Sequence, residues 1–148
     1  MSGALDANIL VYASNDASPL HDKALEFLEA RAAGPDLLYL FWPTIFAYLR
    51  IATHPAVFPK PLPPDVAMGN IERLLALPHV RAGGESDRFW LVYRATTHRF
   101  PVRGNLVPDA HVVALMRDHG VRMIWSHDRD LRKFDGIEVV DPFDIGST

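Results

Sequence analysis

The sequence predicts an α/β fold in one domain, with a central, mostly parallel sheet flanked by helices on both faces. Three observations point there. Short continuous apolar runs, suited to buried parallel strands, alternate with amphipathic helical segments. The loops that join them are short, which favours strand–helix–strand units. The 148 residues fit one domain, 1–148, with one substantial core and no internal repeat.

Taken in order, Ala4-Leu5 reads as the end of a first strand and Asn8 to Ala13 as an apolar helical start. Ser18-Pro19 offers an N-cap with proline at the first helical position, opening a helix that carries Leu20, Ala24, Phe27 and Leu28 on one face. Gly34-Pro35 stops it. Leu37 to Phe41 suits a buried strand, and Pro43-Thr44 starts a second amphipathic helix that ends near Thr53. His54 to Pro64 holds five prolines and reads as an extended surface connection. A helix from about Asp65 to Leu77 follows, then a short strand at Val80-Arg81-Ala82.

Ser86 is a candidate N-cap for a helix reaching about Arg99, with Phe89, Trp90, Tyr93 and Ala95 on its buried side. Pro108-Asp109 opens the clearest helix, and Gly120 closes it in the position just past the C-cap, where a left-handed backbone is needed. Val121 to Trp125 is a strand, Asp128 to Phe134 a turn or single helical turn, and Ile137 to Val140 a last strand.

Composition excludes several function classes. With no cysteine, disulfides, thiolate metal sites and a cysteine nucleophile are ruled out, and a reducing cytoplasm is the expected compartment. No apolar run approaches the roughly 20 residues of a membrane span. Net charge is −3, but a nucleic-acid site needs only a local positive patch, so the total does not decide.

Four acids carry the functional reading. Asp6 and Asp128 follow apolar strands, Asp130 lies two residues on, and Asp109 stands at a helix start. In parallel sheets the functional crevice lies beyond the carboxyl ends of the strands, where the fold could gather all four. Carboxylates gathered there repel one another unless a cation joins them, and a hard divalent ion such as Mg2+, or Mn2+ in its place, fits an all-oxygen set. Such an ion can lower the pKa of a water and stabilise the oxygen that leaves a phosphodiester phosphorus. Each acid also has an ordinary reading: Asp109 as a helix cap, Asp128 and Asp130 as turn chemistry. Spacing alone leaves both readings open.

The segments "LDANILVYA" (Leu5 to Ala13), "GNLVPDAHVVAL" (Gly104 to Leu115) and "SHDRDLRKFDGIEVVDP" (Ser126 to Pro142) resemble the characteristic blocks of PIN-domain ribonucleases. "LRIATHPAVF" (Leu49 to Phe58) is similar to a block in one branch of the VapC-type toxins of toxin–antitoxin pairs. The blocks lie in family order and span essentially the whole chain.

The resemblance implies a single PIN-like domain and a metal-dependent endoribonuclease. It also implies a homodimer silenced by a cognate antitoxin, whose C-terminal segment occupies the active-site groove. It makes Asp6, Asp109, Asp128 and Asp130 the catalytic acids, with Asp6, Asp109 and Asp128 as metal ligands. Asn8 supports the first acid, and Ser126 stands where a hydroxyl could reach a metal-bound water or a ligand carboxylate. One departure stands out: many PIN domains carry a glutamate near the position of Ala47, yet no acid occurs between Asp36 and Asp65. That puts tight binding of a second ion in question.

Arg50, Arg99, Arg103, Arg129, Arg132 and Lys133 lie in or near these blocks, and among them Arg103 and Arg129 lead as candidates for contact with RNA or antitoxin. The seven histidines form no His-Glu-x-x-His pattern, which argues against zinc, and His127 is expected to point away from Asp128. The aromatic residues around Phe41 to Tyr48 and Phe89 to Tyr93 are read as packing, with an exposed apolar face from Thr44 to Thr53 available for a second copy. Two rival functions remain. One is a PIN-fold module that binds RNA or protein without cutting, favoured by the missing glutamate. The other is an aspartyl-phosphate phosphatase, disfavoured because Asp6-Ala7-Asn8 lacks its second aspartate.

Overall fold

A computed structural model describes residues 1–144, so the single-domain expectation extends four residues past them. Five strands, β1 (Gly3–Leu5), β2 (Leu38–Phe41), β3 (Val80–Gly83), β4 (Met123–Trp125) and β5 (Glu138–Val140), form one sheet in the order β3-β2-β1-β4-β5. Every pairing is parallel. The helices are α1 (Ala7–Ser14), α2 (His21–Ala32), α3 (Trp42–Ala52), α4 (Pro64–Leu75), α5 (Phe89–Thr96) and α6 (Leu106–Asp118), with a short 3-10 helix at Arg129–Lys133.

The sheet divides the core in two, and the period-2 alternation of strand side chains does the dividing. Leu5, Leu38, Leu40, Met123 and Trp125 face one cluster with Leu10, Ile45, Tyr48 and Ile71 from α1, α3 and α4. Ala4, Phe41 and Ile124 face the other, with Ala110, Val113, Met116 and Leu131. Truncating a wholly buried member such as Leu5 or Ile124 costs about 2–5 kcal/mol, because a cavity adds to the lost transfer energy. At Gly3 an added Cβ would lie 2.7 Å from the Met123 side chain and 2.8 Å from the Trp125 ring, so those side chains would have to shift to admit one.

Two expected caps are corrected. Ser18 does not cap α2: its hydroxyl accepts from Leu20 N–H at 3.1 Å and its carbonyl from His21 N–H at 3.1 Å, a local turn that delays the helix to His21. Ser86 behaves similarly before α5, where it accepts from Arg88 N–H and donates to Asp118 instead, and the helix starts at Phe89. Trp90 and Ala95 are not on the buried side of α5; Trp90 is 65% exposed. The stop at Gly120 is as expected, with φ +70° one residue past the His119 C-cap. Among the described residues no helix is long and apolar enough to cross a membrane.

Candidate metal centre

The β1–β4 register sets the geometry. Leu5 lies beside Trp125, and the ladder runs one residue further because Asp6 N–H donates to Trp125 C=O at 3.0 Å. Asp6 and Ser126 therefore leave the sheet together, at the carboxyl ends of its central strands.

Ser126 is buried and uses its full hydrogen-bonding capacity there. Its hydroxyl donates to Asp6 Oδ2 at 2.5 Å and accepts from Asp128 N–H at 2.9 Å and from Asn8 Nδ2 at 3.4 Å. Asp6 Oδ1 accepts from Ala7 N–H at 2.7 Å and so caps α1 as well. Asp128 caps the 3-10 helix, its Oδ1 accepting from Asp130 N–H at 2.9 Å. The carboxylates are thus aimed by caps and turns at strand ends, where short acids serve the backbone and the site at once.

Asp109 arrives from the first turn of α6, which begins at Leu106, two residues before the expected Pro108. Its carboxylate approaches those of Asp128 and Asp130, and one oxygen from each of the three lies within 4.8 Å of the others. Asp6 is outside that tight trio; each of its oxygens accepts one hydrogen bond and keeps a lone pair. It still belongs to the same field: Asp128 raises the pKa of Asp6, and Asp6 raises that of Asp109.

Burial lifts the Asp6 carboxyl above its ordinary range, against the hydrogen bonds from Ser126 and Ala7 and with help from Asp128. Asp109 is pushed up to about 7, first by burial and then by the charges of Asp128, Asp6 and Asp130, with Lys133 opposing. Lys133 itself is held by Asp130, Nζ to Oδ1 at 3.3 Å. Asn8 Oδ1 is a buried acceptor with no partner among the described residues. The donor set is therefore all oxygen, crowded and electrostatically strained, which fits a hard divalent cation.

The histidines stay out of this set. His127 Nδ1 bonds Asp141 Oδ2 at 2.8 Å, and its ring meets those of Tyr12 and Phe143 edge-on. His111 Nε2 pairs with Glu85 Oε1 at 2.6 Å. Arg103 and Arg129 are both exposed, Arg103 in the loop before α6 and Arg129 at the first position of the 3-10 helix. Asp141 went unnoticed in the sequence, although it follows β5 as Asp6 follows β1. A mostly apolar cavity of about 470 Å3 lies elsewhere, between α1, α2, α3 and α4, and is lined by none of the four aspartates.

The PIN domain family model matches residues 4–137. Ribonuclease VapC48 of Mycobacterium tuberculosis is 54% identical over 143 residues, covering 97% of this chain and 99% of that one. Ribonuclease VapC37 of the same organism is 32% identical over 133 residues, 90% of this chain and 92% of the relative. Among solved structures, M. tuberculosis VapC20, described as a sarcin-ricin loop cleaving toxin, superposes with a TM-score of 0.65 at 16% identity, covering 93% of this chain and 99% of that one. VapBC2 from Rickettsia felis, bound to a DNA fragment from its promoter, gives 0.65 at 14% identity, covering 95% and 98%. At those identities the structures speak for the fold alone, whereas the family model and the sequence relatives place the molecule: this chain belongs to the PIN-domain family, in its VapC ribonuclease branch.

Proposed function

We propose that the chain is a Mg2+-dependent endoribonuclease and the toxin of a toxin–antitoxin pair, with Asp6, Asp109, Asp128 and Asp130 as its catalytic acids. The observation that carries this reading is the trio Asp109, Asp128 and Asp130 beside a buried Asp6, with Asp109 pushed up to about 7 first by burial and then by the neighbouring acids, which Lys133 offsets only in part. Asp6, Asp109 and Asp128 would hold the ion, Mg2+ or Mn2+. When bound, the ion supplies a water of lowered pKa and neutralises charge on the leaving oxygen.

The chain's own residues do the rest. Ser126 keeps Asp6 and the Asp128 backbone in fixed relation, and Asn8 braces Ser126 from α1. Asp130, exposed at the rim, adds negative charge that favours a cation and tethers Lys133. Hydrolysis requires a water oxygen to attack phosphorus while the bond to the leaving ribose oxygen breaks and that oxygen gains a proton. Arg103 and Arg129 are placed to receive phosphates of the RNA or acidic groups of an antitoxin.

Incubation of structured RNAs with Mg2+ or Mn2+, beside an Asp6→Asn variant, tests this directly. Metal-dependent cleavage that the substitution abolishes is expected; cleavage indifferent to it would remove the mechanism.

Two partners complete the proposal. A second copy would cover the large apolar side chains left exposed on α3 and α5, Trp42, Phe46, Trp90 and Leu91, of which Phe46 is 63% exposed. Sedimentation should show a dimer that Phe46→Asp converts to monomer. A cognate antitoxin is the partner implied by the VapC relatives. The solved neighbour from Neisseria gonorrhoeae, FitAcB, and the Rickettsia VapBC2 are structural kin of this fold. A second reading, a PIN-fold module that binds without cutting, draws on α3, which carries no acid along its length.

A further inference from the structure

A second polar cavity, of about 160 Å3, lies beside the acids on the other side of β4's carboxyl end. His127, Arg129, Arg132, Asp141, Phe143 and Asp144 line it. His127 and Arg129 are the two chain neighbours of Asp128, so the cavity sits within one nucleotide's reach of the proposed scissile phosphate.

Its charges are balanced and mostly unspent. Two arginines and two carboxylates face one space, yet neither arginine forms an ion pair among the described residues, although Asp141 and Asp144 line the same space. Asp141 is committed to His127 Nδ1, and its other oxygen accepts from Phe143 N–H at 2.9 Å. The His127 ring, fixed by Asp141 and meeting Tyr12 and Phe143 edge-on at ring-centre distances of 6.0 and 5.2 Å, forms a rigid wall. Its Nε2 has no protein partner among the described residues.

An anion alone would meet two carboxylates there, and a cation two guanidiniums. The lining suits a neutral, planar group with acceptors along one edge and donors along another. Guanine is the nucleobase of that description: its O6 and N7 accept from an arginine fork, and its N1–H and N2–H2 donate to a carboxylate. We infer that this cavity is a guanine-selective subsite for an unstacked RNA base adjoining the cleaved phosphate. Arg132 reads the acceptor edge and Asp144 the donor edge, Phe143 supplies apolar contact, and Arg129, between the cavity and Asp128, stays with the adjoining phosphate. The inference rests on the ribonuclease reading for its biological meaning, but base binding can be measured without cleavage.

The full chain, free of divalent ions, would be titrated with guanosine, adenosine, cytidine and uridine 5′-monophosphates and with inorganic phosphate, following backbone and aromatic resonances by NMR. Guanosine monophosphate is expected to bind about tenfold or more tightly than the other nucleotides, shifting His127 and Phe143. Arg132→Ala and Asp144→Asn should each erase that preference. Equal response to all four nucleotides, response to phosphate alone, or preference intact in Arg132→Ala would overturn the subsite. So would a silent titration, and loss of antitoxin binding in Arg132→Ala would then assign the cavity to that partner. Mg2+-dependent cleavage without base preference removes the subsite and leaves the nuclease. Guanine binding without cleavage supports the subsite and removes the nuclease.

Discussion

The two ends of α6 carry one aspartate each, and their protonation runs opposite to what the helix would impose by itself. A helix dipole stabilises a carboxylate in the first turn and destabilises one in the last. Yet Asp109, in the first turn, is pushed up to about 7, while Asp118, the last residue, is lowered. The reason lies in partners. Asp118 accepts from the Ser86 hydroxyl at 2.7 Å and from Ser86 N–H at 2.9 Å, with His119 and Arg88 adding favourable charge. Asp109 is half-buried among Asp128, Asp6 and Asp130. A structural acid is satisfied by its own protein; Asp109 is left wanting a cation that the chain does not supply.

The contrast can be broken most forcefully at the needy end. Asp6→Asn or Asp128→Asn should lower kcat/KM for RNA cleavage by on the order of 10³-fold, since each removes charge where the reaction needs it. Cleavage assays in Mg2+ check this. Ser126→Ala should reduce cleavage by about 10–100-fold and cost about 1–3 kcal/mol in urea unfolding, because Asp6 and Asn8 lose a buried partner.

A pH series sharpens the comparison further. The folded pKa of Asp109 is raised, so the folded chain holds a proton that the unfolded chain has already released. Metal-free stability should therefore fall as pH rises from about 4 through about 7. Asp109→Asn should flatten that fall and raise the metal-free Tm at pH 8 by a few degrees. Ser86→Ala, at the satisfied end, should have the smallest effect: about 1 kcal/mol or less at neutral pH, with cleavage unchanged. Because the Asp118 pKa is lowered, that contribution is present at neutral pH and disappears as pH falls through the acid range.

Residues whose roles are local were legible in the sequence. Asp6 and Asp128 could be placed because each follows a short apolar run, and Gly120 because a left-handed backbone after a helix calls for glycine. The same local logic failed at Ser18 and Ser86, where a hydroxyl that can cap a helix can equally close a turn just before it. Pairings across the fold left no trace in spacing. Asp135 joins Arg99 and Arg117, Ser86 reaches Asp118, and Asp141 fixes His127, all over separations set by tertiary packing. Trp90 misled for a related reason: helical periodicity marks an apolar face without saying whether this chain or another molecule covers it.

The central claim is that Asp109 and Asp128 await a divalent cation. Calorimetric titration of the metal-free chain with Mn2+ at pH 7, repeated in buffers of different ionisation enthalpy, measures both binding and the protons it displaces. Saturable binding that expels protons from a partly protonated Asp109 is predicted, with proton release lost in Asp109→Asn and binding weakened in Asp128→Asn. Absence of binding, or binding and proton release identical in all three proteins, would contradict it.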